Sequence, residues 1–154
     1  MTAFMHRDCG QWDRLRKVFH HDAVIHIMWF NGRADDFVTA SSQMAKTELS
    51  SKHDIANPLI HFNGPRAISE TNATIITEDT ALRLICTSHI RFLDRLEERD
   101  GVWRILHRRS IYDFSSYNAT PRAGWLIAAE PSASSAGPRT GPLCRTECFG
   151  SKTP

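Results

Sequence analysis

The dipeptide Asp100-Gly101 constrains the fold of this chain more than any other feature, because it separates two long segments of alternating residues. Asp-Gly favours the two-residue turn of a β-hairpin, since both positions tolerate a positive φ angle. In the segments on either side, residues 82–98 and 102–113, apolar side chains alternate with arginines and other polar residues. The pattern predicts a hairpin of two long strands, the first of them long enough to curve.

The segments before this hairpin add helices and further strands. In order, the patterns predict a helix over residues 11–20, a strand over 22–30, a turn at Asn31-Gly32, a helix from a cap at Asp35 or Asp36 to about residue 49, and strands over 55–62 and 66–77. Helices followed by antiparallel strands are typical of an α+β domain. Because the sheet must curve to enclose the helices, we predict a cone-shaped α+β barrel, a curved antiparallel sheet wrapped around helices, whose interior can stay open as a pocket.

The composition changes sharply near residue 130. Residues 131–142 are rich in Ser, Ala, Gly and Pro and show no periodicity. Such a segment cannot bury enough apolar surface to offset the entropy lost on ordering. We therefore predict one domain over residues 1–128 and a flexible tail over residues 129–154.

Charge and hydropathy argue against several classes of protein. The net charge of +2 comes from 19 basic and 17 acidic residues, which does not favour nucleic-acid binding. The chain lacks an apolar segment of the roughly 20 residues that a membrane span needs, and it lacks a signal-peptide pattern, so we expect a cytoplasmic protein without a membrane partner. It also lacks a nucleotide-binding motif and a His or Cys pattern typical of metal sites, so we expect neither a metal nor a cofactor.

Four segments together resemble the SnoaL-like branch of the nuclear transport factor 2-like superfamily. They are Asp8 followed by Trp12 and then by Phe19, Asp22 and Ala23; Phe30-Asn-Gly-Arg followed by Phe37; His53 at the opening of a strand; and the hairpin with Asp100-Gly101 before Trp103. The resemblance covers roughly residues 4–118 and is greatest to the dehydratase and hexachlorocyclohexane dehydrochlorinase branch. Only seven residues precede Asp8, so most of the first helix of the family is missing.

The resemblance implies an Asp–His pair that abstracts a proton, with Asp8 and His53 at the corresponding positions. A histidine can accept a proton near neutral pH, and a carboxylate bonded to its far nitrogen fixes the tautomer. The implied activity is a cofactor-independent elimination, of dehydratase or dehydrohalogenase type, or an isomerisation of a small hydrophobic cyclic or polyketide-like molecule. The spacing alone favours the alternative, in which Asp8 caps the second helix and His53 caps or solvates the end of a strand. The resemblance gives the catalytic interpretation equal weight.

Three more residues are candidates for substrate binding: His26, Trp29 and Arg108. His26 lies in a strand, on the face opposite its isoleucine neighbours. Arg108 belongs to a basic cluster on the hairpin and could hold an anionic group. The alternatives are that Trp29 packs in the core and that Arg108 pairs with acidic residues on the outer face of the sheet.

Two further functions stay open at this point. The chain could be a non-catalytic ligand-binding or assembly module of the same fold, or a truncated and degenerate paralogue. In either case an open curved sheet leaves one face to be covered, and members of this fold family often pair there. We therefore expect a homo-oligomer, either a dimer or a trimer.

Overall fold

The structure, a computed structural model, describes residues 2–120. Its elements are α1 (Thr2–Asp8), α2 (Trp12–Arg16), β1 (Phe19–Ile27), β2 (Phe30–Arg33), α3 (Ala34–Met44), β3 (Leu49–Ile55), β4 (Leu59–Asn63), β5 (Arg66–Asp79), β6 (Leu84–Arg99) and β7 (Val102–Ala119). The tail predicted over residues 129–154 lies outside the described residues. Within the described part, no helix is long and apolar enough to cross a membrane.

The turn between β6 and β7 has the backbone conformation that its sequence predicts. Asp100 and Gly101 have φ angles of +53° and +74°, which lie in the left-handed region. That conformation suits the right-handed twist of the two strands it joins. Pairing extends from this turn to Leu84 and Ala119, so the hairpin is longer than predicted, because β7 continues past residue 113.

All seven strands form one sheet in the order β2-β1-β7-β6-β5-β3, with β4 also paired to β5. The pairs are antiparallel except for β1 and β7, which run parallel. The register of the β6–β7 pair shifts between His89 and Ile90 and again between Arg95 and Leu96. Such bulges bend a strand and increase its twist. The resulting curved sheet with its few helices confirms the predicted cone-shaped α+β fold.

Two groups of buried side chains hold the helices against the sheet. The first joins Leu15 of α2 and Val38 of α3 to Ile25 of β1. The second joins Phe4 of α1 to β5 and β6 and consists of Phe4, Ala73, Ile90 and Phe92. The Phe4 and Phe92 rings lie 4.6 Å apart between centroids. This second group fixes α1 on the sheet and so sets the position of Asp8 at its end.

The turn predicted at Asn31-Gly32 is wrong, because both residues lie inside β2. The chain instead reverses at residues 28 and 29, so that Ile27 pairs with Phe30. Ile27 and Phe30 both pack against the first core group. Burial of apolar residues on both sides of the earlier turn therefore outweighs the local turn preference of Asn-Gly.

Other element boundaries also differ from the prediction. The strand predicted over residues 55–62 begins only at Leu59, as β4, because the chain breaks at residues 56–58, where Pro58 cannot donate a ladder hydrogen bond. The helix predicted to about residue 49 ends at Met44, and residues 49–55 form the separate strand β3, so His53 lies inside a strand and not at its opening. The first predicted helix stops at Arg16, since Phe19 is 4% exposed and begins β1. Asp35 and Asp36 lie in the first turn of α3 and do not cap it.

Candidate active site

Strand β3 presents His53 to the interior of the cone. Its seven residues pair with β5, with His53 opposite Ile75. Side chains alternate between the two faces of a strand, so Leu49, Ser51 and His53 share one face, and all three line a cavity. The pairing with β5 therefore fixes the backbone of His53 and the face on which its side chain lies.

Asp8 holds His53 at two atoms. Its Oδ2 accepts a hydrogen bond from the His53 backbone N–H at 2.8 Å, and its Oδ1 lies 2.6 Å from the His53 Nδ1. The side chains of His53 and Asp8 are 5% and 17% exposed. An ionised carboxylate can only accept hydrogen bonds, so Nδ1 carries the proton and Nε2 keeps its lone pair. Asp8 is not part of the cavity wall, so it contacts the imidazole from behind.

The cavity has a volume of about 250 Å³ and lies between α1, the β1–β2 turn and the inner face of the sheet. Apolar side chains dominate its wall, among them Phe4, Ile27, Phe37, Ile75, Ile90 and Phe92. Typical ligand pockets have volumes of roughly 300–1,000 Å³, so this one suits a small molecule of one or two rings.

Four hydroxyl groups line the same cavity. The Ser51 and Thr77 hydroxyls lie 3.1 Å apart, and the Ser88 hydroxyl lies 2.8 Å from that of Ser115 outside the wall. The Ser110 hydroxyl is buried and has no hydrogen-bond partner among the described residues. Since a buried hydroxyl is normally hydrogen-bonded, Ser110 is available to a polar group of a bound molecule.

Trp29 lies at the opening of the cavity. It lines the wall, yet 42% of its surface is exposed, and its neighbour Met28 is 62% exposed. Its ring packs against Phe30 and Phe37, with centroid separations of 5.8 and 5.5 Å. The structure thus places this predicted residue between the core and solvent, where its indole can contact a ligand.

Arg108 also lines the cavity, but its guanidinium is already bound. Its Nε and Nη2 donate to the two carboxylate oxygens of Asp94 at 2.7 and 2.6 Å. The guanidinium carbon lies 4.5 Å from the ring centroid of Phe4 and 5.0 Å from that of Phe92. Its charge is therefore neutralised inside the wall, and it does not pair on the outer face of the sheet.

The structure places His26 outside this cavity wall. Ile25 and Ile27 occupy the inner face of β1, so the intervening His26 projects to the other face. There its ring lies 5.1 Å from that of His107. Burial lowers the pKa of His107, and the neighbouring His26 lowers it further. The two histidines form a pair apart from His53.

Arg7 lines the cavity, although it was not among the residues predicted from the sequence. It precedes Asp8 in α1, a helix that was not predicted either. The sequence does contain a signal for this helix. Residues four apart share a helix face, and two such pairs occur here, Phe4 with Asp8 and Ala3 with Arg7. A helix predicted over residues 2–8 would have placed Arg7 on the same helix face as Ala3, in the last turn beside Asp8.

Within residues 2–120, no group of three or more His, Cys, Asp or Glu side chains is arranged to hold a metal ion. The chemistry available in the cavity is that of one imidazole with a carboxylate behind it, the Arg7 guanidinium and several hydroxyls, since Arg108 is already paired with Asp94. This set can move a proton and bind polar groups in an apolar surrounding.

The SnoaL-like domain matches residues 2–109. The chain belongs to the SnoaL-like family. Since the match includes α1 and most of the sheet, both Asp8 and His53 lie inside the SnoaL-like domain.

Solved structures support the same fold. A scytalone dehydratase-like protein from Novosphingobium aromaticivorans is 17% identical, with a TM-score of 0.67 and coverage of 84% of this chain and 89% of that one. A hexachlorocyclohexane dehydrochlorinase, LinA type 2, is 14% identical, with a TM-score of 0.68 and coverage of 79% and 86%. A search of curated protein sequences gives no match. At these identities the structural likeness establishes the fold of the SnoaL-like domain.

Proposed function

We propose that this SnoaL-like protein is a cofactor-independent lyase, of the dehydratase or dehydrohalogenase type, or an isomerase, and that His53 is its general base. One observation carries the proposal: His53 lines an apolar cavity while Asp8 binds its Nδ1 from behind at 2.6 Å. That arrangement leaves Nε2 as the proton acceptor facing a bound molecule. The names of the two structural neighbours, a dehydratase-like protein and a dehydrochlorinase, agree with this chemistry.

The proposed reaction begins when a C–H bond of the substrate breaks and its proton moves to Nε2 of His53. The electron pair of that bond forms a carbon–carbon double bond as hydroxide or halide leaves the adjacent carbon. Where no leaving group is present, reprotonation at another carbon gives an isomer. Asp8 stays ionised throughout and stabilises the imidazolium that forms.

The surroundings favour a small hydrophobic cyclic substrate. The wall is mostly apolar and the volume of about 250 Å³ leaves room for one or two rings. Water is largely excluded at His53, whose side chain is 5% exposed. Exclusion of water strengthens the electrostatic interaction between Asp8 and the developing imidazolium.

The test is a screen of hydroxylated and halogenated cyclic compounds in D₂O, with NMR detection of product and of deuterium at the reacting carbon. General-base catalysis contributes about 10²–10⁴-fold, so His53→Ala should lower turnover by that factor. Asp8→Asn should lower it by more than about tenfold. His61→Ala is the matched control, because His61 is an exposed histidine on β4.

The results separate the proposal from its alternatives. Turnover that survives in His53→Ala would overturn the role of the base. Compounds that bind in the cavity of the folded wild-type protein without turnover or deuterium exchange would indicate a non-catalytic binding module instead.

A further inference from the structure

Arg7 carries a positive charge into the same cavity that His53 lines. It is half-buried, and its Nη2 lies 3.8 Å from the Met44 sulfur. Its guanidinium carbon lies 5.9 Å from the ring centroid of Trp29. A thioether and an aromatic face are weak partners for a guanidinium that offers five N–H donors.

No carboxylate of the described residues forms a hydrogen bond or an ion pair with Arg7. Burial lowers the pKa of the Arg7 guanidinium, and the charge of nearby Asp8 opposes that shift. Asp8 itself is engaged by His53 through both of its oxygens. Moving a charge out of water is costly unless a partner compensates it, and Arg7 is a cation that lacks an acidic partner among residues 2–120.

Arg108 provides an internal comparison. It lines the same cavity, but Asp94 accepts hydrogen bonds from two of its nitrogens. The two arginines therefore differ in what they offer a ligand: Arg108 is neutralised by the protein, and Arg7 is not. The unpartnered Ser110 hydroxyl is a further polar group in this wall.

We infer that Arg7 binds a carboxylate group of the substrate, so that the protein acts on a small cyclic carboxylate. The statement that the bound carboxylate is a substrate rests on the proposed function. The binding of a carboxylate by Arg7 can be tested without any turnover. A planar carboxylate matches the guanidinium fork, which can donate two parallel hydrogen bonds. The carboxylate would take the place of the missing protein partner, while the apolar wall would hold the ring next to His53.

Calorimetric titration with matched acid and amide pairs tests the inference. The probes are benzoate with benzamide, cyclohexanecarboxylate with its amide, and 2-naphthoate with 2-naphthamide. Wild-type protein should bind at least one carboxylate more than tenfold tighter than its amide. Arg7→Met should lose that preference, and Arg7→Lys should keep part of it, since lysine retains the charge without the fork.

Two controls make the outcome specific. Arg91→Met removes an exposed arginine that is paired with Glu70 and Asp113, and it should bind as wild type does. Circular dichroism and thermal unfolding verify that the Arg7 variants are folded. If Arg7→Met does not fold, the partial loss of carboxylate preference in Arg7→Lys provides the test. A failure to bind any carboxylate in preference to its amide, or a preference that survives in Arg7→Met, would overturn the inference.

His53→Ala distinguishes this inference from the proposed function. It should keep the carboxylate preference, because Arg7 is unchanged, while it loses turnover. If the wild-type protein prefers carboxylates but turns over no compound, the result would support the binding role of Arg7 and count against His53 as a general base. If the wild-type protein turns over neutral compounds only and shows no preference for carboxylates, the result would support His53 as the base and overturn the binding role of Arg7.

Discussion

Arg108 and Asp94 form a buried ion pair directly across the β6–β7 hairpin, with two hydrogen bonds of 2.7 and 2.6 Å. Their side chains are only 6% and 9% exposed. A charge at such depth is tolerated because its partner compensates it, and removal of one partner leaves the other charge uncompensated. The pair therefore stabilises the cavity wall behind Phe4 and Phe92.

Asp94→Ala should lower the free energy of unfolding by about 3–5 kcal/mol, the usual cost of breaking a buried pair. Urea unfolding followed by circular dichroism measures this change. The double variant Asp94→Ala/Arg108→Met should recover much of the loss, because it removes the isolated charge as well. Asp113→Ala is the control, since the Asp113–Arg91 pair is exposed and should contribute far less. Equal losses in the two single variants would contradict the prediction.

The hydrogen bond from His53 to Asp8 predicts the tautomer of the imidazole. Because Oδ1 of Asp8 accepts at 2.6 Å, neutral His53 should carry its proton on Nδ1. Two-dimensional NMR of protein with ¹⁵N-labelled histidine distinguishes the two ring nitrogens without any substrate. A proton found on Nε2 in the wild-type protein would contradict the proposed role of Asp8.

Asp8→Asn should reverse this tautomer. The amide of asparagine has a single oxygen. Because the His53 backbone N–H can only donate, that oxygen should accept the backbone hydrogen bond, which is 2.8 Å long in the wild-type protein. The amide nitrogen then faces Nδ1 and donates to it, which moves the ring proton to Nε2. The same NMR experiment should show this change, and His61 in the same spectrum provides the reference. An unchanged tautomer would mean that Asp8 does not set the proton position.

Much of this site could be predicted from the sequence because it depends on strand periodicity and on one strong turn. The Asp100-Gly101 hairpin gives the longest strands, and alternation along residues 82–98 separates buried Ile90 and Phe92 from the arginines. Asp8 and His53 were singled out through the family resemblance, since a pair 45 positions apart in the sequence carries no local signal. Only the fold brings them together.

The errors have a common physical origin in packing between distant segments. Asn31-Gly32 is a strong local turn signal, yet burial of Ile27 and Phe30 moves the turn by three residues. Arg108 looked available because its partner Asp94 is 14 residues away and meets it only through the hairpin register. Arg7 was missed because α1 is a short helix fixed by Phe4 against the sheet.

Trp29 should report on occupancy of the cavity through its fluorescence. It lines the opening, so a bound compound with a heavy atom, such as bromobenzene, should quench it in a saturable manner. Trp29→Phe should remove more than half of the saturable quenching. Trp103→Phe should keep it, because Trp103 lies outside this cavity wall and packs against Phe62 at a centroid separation of 5.5 Å. Equal quenching in the Trp29→Phe protein would place the binding site elsewhere.

Arg99 links two strands through carboxylates and should make stability depend on pH. It donates to Asp22 at 2.8 and 3.1 Å and to Glu97 at 2.9 and 2.6 Å. These hydrogen bonds lower the pKa of Asp22 and of Glu97 below their ordinary values of 3.8 and 4.5. The folded protein thus binds fewer protons than the unfolded chain near those values.

The contribution of this group to stability is therefore present above the ordinary pKa values and is lost as the pH falls through the lowered ones. The double variant Asp22→Asn/Glu97→Gln should have a lower Tm than wild type at about pH 6, and the difference should shrink towards about pH 3. The effect should be modest, because the Asp22 side chain is 44% exposed and water screens it. Asp13→Asn, which removes a carboxylate that is 95% exposed, is the control and should follow wild type at both values. A Tm difference between the double variant and wild type that stays constant over this range would show that the loss of Arg99 hydrogen bonds is not linked to protonation.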